Sequence, residues 1–452
     1  MSITSQSGSS NPVGDILVAV PEFHGLHIST RNEVANFVER KLKKFTLKLK
    51  ASPYAPNSQL DPLGINSNFN MGLRNWLLQF PDKHRLGFLA AALSTIYITD
   101  EEIDSFIDIG LSRLREQMIE VAEMDDRQSG TKAIVEWATL KDNIRCYAVS
   151  EFGAYEKVIR RLQFTGSRDR AKHPIRGIVD EFVKAAFHDL RVLADKDLQT
   201  LIYREEAGQR AAELIRSLRN SHIVLVEDGT FSGKRIKREA SRFLRLMNIL
   251  FSGFETQMSL HGYKRPWVYL LAVFGTNDAL EAVQELGALG GPDRVSSRFI
   301  PVFGHMFDRD ASVNPGPPPA VEELTALTQK ADCRKKLKLA VQFFHEQYSH
   351  KYWDRETDIR TMLKLDNKDI PYGLGGKGWT LLTHVNCPND SLPLLWYPHI
   401  GSESFSIRAL FPRLESQVEG ESMHELQESI EIVSRDQARH LHDFLAEVHK
   451  EP

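Results

Sequence analysis

The sequence predicts an α/β protein built on a parallel sheet. Three observations carry that prediction. Apolar runs of strand length recur between residues 144 and 307, and stretches with helical spacing separate them. The longest runs are apolar at nearly every residue rather than at alternate ones, as strands covered on both faces are. One of them, "HIVLVE" (residues 222–227), runs into a carboxylate pair and then through a small, hydroxyl-bearing loop into a basic helix, "HIVLVEDGTFSGKRI".

Composition narrows the class. The 452 residues, 42% of them hydrophobic, suffice for two or three domains or for one large core with elaborations. A formal net charge of −3 and a pI near 6.6 leave no global charge to draw the chain onto nucleic acid or an anionic membrane. Cys146, Cys333 and Cys387 are an odd number without CxxC spacing, which argues against a disulfide framework or a zinc site and fits a reducing cytoplasm. No apolar run approaches the roughly 18 to 20 residues of a membrane span. The opening "MSITSQSGSSNPVGD" lacks a basic region followed by an apolar one. It reads as a disordered lead-in rather than a secretory signal.

The elements follow in order. "ILVAVPEF" (residues 16–23) is a short apolar run of strand character. "RNEVANFVERKLKKFTLKLK" (31–50) has helical spacing, with lysines gathered at the end where a helix dipole favours cations. A nucleic-acid or partner patch and a solvated helix face both fit that charge run. From Trp76 to about residue 123 the pattern is helical, with a break at Pro81. "RLGFLAAALSTIYI" is apolar on nearly all sides and belongs inside a core. Thr99 and Glu102 have the spacing of a capping box. "IRCYAV" (144–149) is a strand, "YEKVIRRLQF" a helix, and residues 177–219 are helical. "HIVLVE", "WVYLLAVF" (267–274) and "RFIPVFGHMF" (298–307) are strands. Between them lie the helices "GKRIKREASRFLRLMNILF" and "NDALEAVQELGAL", the second with Asn277 as its N-cap. "SVNPGPPPA" is a boundary, since four prolines so close together continue neither helix nor central strand. Residues 324–348 read as a helix. The glycine-rich "YGLGGKGW" leads to "TLLTHV", "NCPNDSLP" and "LLWY". The tail is amphipathic, with Leu426, Ile430, Val433, Leu441, Phe444 and Val448 roughly on one face, suited to an oligomer seam or to the chain's own body.

The motif at residues 222–236 has a definite chemistry. Ligands of parallel α/β sheets bind beyond the carboxyl ends of strands, where Glu227 and Asp228 fall. The loop that follows opens a helix, whose N-terminal N–H groups and dipole attract anions. Thr230 and Ser232 add hydroxyls, the glycines permit close backbone approach, and Lys234 and Arg235 add positive charge. A sugar phosphate meets both demands: its hydroxyls suit carboxylates and its phosphate suits the loop. A Walker P-loop is excluded, because "GTFSGKR" has three residues between Gly and GK and is followed by Arg235. The alternative is an ordinary strand end with a capped helix, which gives no reason for adjacent acids.

The stretch "VEDGTFSGK" resembles the ribose-phosphate motif of type I phosphoribosyltransferases, the hypoxanthine-type version above all. The helical "WLLQF", the mid-chain motif and the late "YGLGGKGWTLLTHVNCPNDSLPLLWY…LFPR" resemble the phosphoribosyltransferase-like PRTase-CE group of bacterial conflict systems. The resemblance runs from about Trp76 to Arg413. It implies a type I phosphoribosyltransferase-like core (144–311) with an N-terminal extension (1–70), a helical region (71–143), a C-terminal hood (321–415) and the helical tail (416–452). Glu227 and Asp228 would be the catalytic carboxylates serving the ribose. Gly229, Thr230, Ser232, Gly233 and Lys234 would hold the phosphate of phosphoribosyl pyrophosphate (PRPP). Mg²⁺ would be the cofactor, reached indirectly by Asp228. Ser150, Gly153 and Ala154 would form a pyrophosphate loop, unless they make a plain strand-to-helix turn.

The resemblance further implies an effector of antiphage defence, retron-associated in some members, acting at ribose C1. Its partners would be a second copy, or a defence complex with a reverse transcriptase and a small DNA-binding protein, with nucleic acid reached through a partner and no membrane. The alternatives are an inactive nucleotide-sensing module or an interaction subunit of a nucleoprotein complex. Two departures matter. Phe231 stands where purine enzymes often carry an acid that handles the base, and Arg235 stands where many members have Thr. Asp278, His305, Asp308 and His384 are candidates to activate a nucleophile. Asn386 and Asn389 would read a base edge or shape a Pro-containing turn.

Overall fold

The computed structural model describes residues 12–49, 69–128, 143–149, 154–162, 221–253, 264–287, 298–308, 318–329, 331–349, 370–372, 377–383, 391–396, 399–400, 406–407 and 409–411, with a few single positions between them. They fall into two compact units. One takes the chain up to Ile103 and again over Phe307–Leu414; the described residues of the other run from Asp104 to Met306. In chain order the elements are α1 (Pro12–Ala19), α2 (Ile28–Leu49), α3 (Phe69–Leu78), α4 (Asp82–Leu93), β1 (Ile96–Ile98), α5 (Asp100–Gln128), β2 (Ile144–Ala148), α6 (Ala154–Leu162), β3 (His222–Thr230), α7 (Lys234–Gly253), β4 (Trp267–Thr276), α8 (Asn277–Gly287) and β5 (Phe299–Phe307). Then come α9 (Pro319–Thr328), α10 (Cys333–Phe344), β6 (Leu381–Thr383), α11 (Pro393–Trp396) and the short antiparallel pair β7 (His399–Ile400) and β8 (Ser406–Ile407).

The first unit is helical. Its opening run, expected as a strand, is the helix α1 followed by a 3₁₀ turn at Pro21–Phe23. The buried residues Val13, Ile16, Leu17 and Val20 recur at three and four, the period of a helix, while Val18 between them faces solvent. α4 is buried on nearly every side, as its all-round apolar character requires. Gly87 lets it meet α10 backbone to backbone, since a Cβ there would lie 2.2 Å from the Lys336 carbonyl oxygen. Trp76, Phe80, Phe88 and Phe344 fill the centre, the Phe80 and Phe88 rings stacking at 3.7 Å.

The C-terminal segment joins this same unit. β6 pairs in parallel with β1, Ile96 opposite Leu381, and Phe411 stacks on Phe69 at 6.4 Å. The helix read across residues 324–348 is broken. Gln329 adopts φ 50°, and the Asp332 side chain accepts from the Lys335 amide at 2.9 Å to start α10 afresh.

The second unit is the α/β body. Its sheet has the order β2-β3-β4-β5, and β3 pairs in parallel with both β2 and β4. β3 and β4 are buried along almost their whole length, which their unbroken apolar runs demand. The capping box opens α5: the Thr99 amide donates to Glu102 at 2.9 Å, and the Glu102 amide to the Thr99 hydroxyl at 3.1 Å. α5 then lies against β4 and β5. A Cβ on Gly110 would come within 2.8 Å of Leu271 Cδ1 and 3.3 Å of Gly304 Cα, and Arg113 donates to the Phe303 carbonyl at 2.6 Å. Asp104 meets Lys157 and Arg161 at 3.1 and 3.0 Å, tying α5 to α6. The lead-in read as disordered lies outside the described residues only up to residue 11; Pro12–Asp15 form the first turn of α1, and the helices read across 177–217, the turn at 373–376, residues 384–390 and the tail lie outside them.

Candidate functional site

β3 does not end at the acidic pair. It continues through Gly229 and Thr230, which pair with Phe274 and Gly275 of β4. Neighbouring residues of a strand face opposite sides of the sheet, so the two carboxylates leave β3 in opposite directions. Glu227 is buried, 1% exposed, whereas Asp228 is half-buried and keeps the larger contact with solvent. Gly229 has a packing reason: a Cβ there would fall 2.1 Å from the Phe274 ring.

The loop is therefore only Phe231, Ser232 and Gly233. Phe231 is 5% exposed and meets Phe274 edge to face, centroids 5.8 Å apart. Its carbonyl accepts a hydrogen bond from the Thr276 hydroxyl, whose oxygen in turn accepts from the Ala279 amide at 3.2 Å. Thr276, not Asn277, thus caps α8: the helix starts at Asn277 and the side chain one residue earlier takes its orphan N–H. Gly233 has φ 66°, and a Cβ there would lie 2.7 Å from Ala282 Cβ and 3.0 Å from Ala279 Cα. The Lys237 amide donates to the Gly233 carbonyl at 2.8 Å and closes the first turn of α7. The positive end of that helix faces the loop. Lys234 is half-buried at its first position, and Lys237 forms an ion pair with Glu285 of α8.

The neighbouring strand leaves at the same edge. The Val149 amide donates to the Val226 carbonyl at 2.8 Å, so the chain exits β2 beside Glu227. Ser150 and Gly153 lie outside the described residues, and Ala154 is the first residue of α6. Asp278 is half-buried at the second position of α8, one residue before Ala279. His305 stacks on Phe106 at 4.4 Å, and Asp308 is exposed just past β5. His384, Asn386 and Asn389 lie outside the described residues. Sequence reasoning missed the clamp made by Phe274, Thr276, Ala279 and Ala282. Its one legible signal is "GTND", a hydroxyl residue at the junction of strand and helix.

Among the described residues no group of three or more His, Cys, Asp or Glu is arranged to hold a metal ion. Mg²⁺ at a sugar phosphate takes one or two carboxylates and completes its shell with phosphate oxygens and water. Asp228, half-buried at the strand edge, fits that requirement. No helix among the described residues is long and apolar enough to cross a membrane.

The parallel α/β body thus presents a strand with an acidic pair, a three-residue turn and a helix N-terminus at the carboxyl end of its sheet. The PRTase-CE family model matches residues 73–413, well over half of the chain, and the chain belongs to that family. The match includes the whole α/β body and most of the helical unit. No curated protein and no solved structure matches the chain.

Proposed function

We propose that this protein binds PRPP, or another ribose-phosphate nucleotide, with Mg²⁺ at the β3–α7 turn and acts at ribose C1, as an effector of bacterial antiphage defence. The observation that carries the reading is the juxtaposition of Asp228 with the N-terminus of α7 across a three-residue turn. The turn and the helix end suit the 5-phosphate, and Asp228 suits the ribose and the metal. Breaking the bond at C1 leaves positive charge on the sugar and negative charge on the departing diphosphate. The Asp228 carboxylate would favour the first, Mg²⁺ held by Asp228 would supply charge neutralisation for the second, and a nucleophile, water or an acceptor, would form the new bond at C1. The setting would be the cytoplasm, with a reverse transcriptase and a small DNA-binding protein as partners if the locus is a retron; the neighbouring genes test that part.

Pyrophosphate release from PRPP tests the chemistry. Asp228→Ala should lower it about 10²-fold while the chain stays folded. Unchanged release would sink the assignment at this site. A second reading has its own observation. Phe231, in the place of a base-handling acid, is packed against Phe274, which supports a nucleotide sensor without catalysis. PRPP binding by calorimetry with no pyrophosphate released would favour that sensor.

A further inference from the structure

We propose that Thr276 is the positioning residue of the phosphate turn, setting the affinity for the ligand's phosphate without touching it. The inference rests on the ribose-phosphate reading above and adds a residue outside the motif. Thr276 is 0% exposed, at the last position of β4. Its hydroxyl donates to the Phe231 carbonyl and accepts from the Ala279 amide, so its donor and one acceptor lone pair join the turn to α8.

The consequence lies in the peptide plane. In a planar trans peptide the C=O and the following N–H point opposite ways. With the Phe231 carbonyl drawn toward Thr276, the Ser232 N–H is directed away from β4 and α8. The same argument applies one peptide pair later. The Gly233 carbonyl is held inside α7 by the Lys237 amide, so the Lys234 N–H is directed out of the helix end. Between the two planes lie the Ser232–Gly233 peptide and Gly233 itself, whose φ of 66° is the left-handed backbone found where a turn gathers N–H groups around an anion. Of the two planes, the second is fixed by ordinary helix geometry. The first is held by the Thr276 side chain.

The other contacts given for the turn act on other features. The contact of Phe231 with Phe274 holds the ring rather than the peptide. The crowding of Gly233 on Ala279 and Ala282 fixes where the turn sits, not which way the Ser232 amide faces. The Lys237–Glu285 ion pair is exposed and joins α7 to α8 beyond the turn.

The test compares Thr276→Val, which keeps shape and removes both hydrogen bonds, with Thr276→Ser, which keeps them, in the full-length protein. The probes are PRPP with Mg²⁺ and inorganic phosphate, read by calorimetry, with KM and kcat for pyrophosphate release alongside. T276V should weaken PRPP about tenfold or more and raise KM in step with little change in kcat, while T276S stays within about threefold of wild type. Wild-type affinity in folded T276V, or equal impairment in T276S, overturns the inference and leaves the ribose-phosphate reading standing. If T276V does not fold, Thr276→Cys decides: its longer, weaker bond should give an intermediate affinity, and an unchanged one overturns the inference. If the wild-type protein binds neither probe, the ribose-phosphate reading falls and this inference falls with it.

Discussion

Gly233 carries two constraints at once, a left-handed backbone and a Cβ position already occupied by α8. Gly233→Ala should therefore cost more than the ~1 kcal/mol of a left-handed alanine alone, about 2 to 3 kcal/mol with the crowding included. Urea unfolding measures it; a loss under 1 kcal/mol would mean that the turn moves freely away from Ala282. Gly229 makes a different prediction. Its neighbour is the Phe274 ring, so Gly229→Ala should be destabilising alone and partly relieved by Phe274→Leu. A double-mutant cycle with additive effects would refute that coupling. Both glycines were legible as positions where backbone comes close. What they come close to was not, because the partners lie some 45 residues away and no local pattern names them. Phe231 is the converse: the letter stood out for the acid it replaces, and its burial against Phe274 supplies the packing reason.

At the scale of elements, the far end of the sheet holds a titratable pair. His222 opens β3, and its ring nitrogen lies 3.1 Å from the Tyr269 hydroxyl of β4. Burial lowers the His222 pKa to about 4, with Asp125 pulling weakly the other way. Asp125 accepts from the Trp267 indole at 3.0 Å and faces Arg298. The neutral imidazole is the folded form, whereas the unfolded chain titrates near 6.5. Stability from this site is present above pH 6.5 and is lost as the pH falls toward 4. Between pH 7 and pH 5 the loss should be on the order of 2 kcal/mol, and His222→Gln should flatten that slope. Urea midpoints at the two pH values decide it; equal slopes in both proteins would remove His222 as the cause. Elements as such were the most legible level. The strands of the second unit and the capping box at Thr99 follow from apolar runs and side-chain spacing. α1 and the cap at Thr276 did not, since a short apolar run fits either period and a cap can lie one residue either side of an Asn.

At the scale of the whole molecule, the α/β body is inserted into a helical unit made from two distant stretches of chain. β1 and β6 close that unit by parallel pairing across more than 280 residues of sequence, a separation that leaves no local trace. The family match, residues 73–413, spans the α/β body and parts of the helical unit on both sides of it in sequence. Each unit has its own buried core, so each should have its own unfolding free energy. Gly87 offers the cleanest way to separate them, because its α-carbon sits against the backbone of α10 rather than a movable side chain. Gly87→Val would drive a side chain into the Lys336 carbonyl and part α4 from α10, at a cost of about 3 kcal/mol or more. Hydrogen exchange followed by mass spectrometry locates the effect. Exchange should quicken in α4, α10, β1 and β6 and stay unchanged in β3 and β4. An equal rise in β3 and β4 would mean that the destabilisation is not confined to the helical unit.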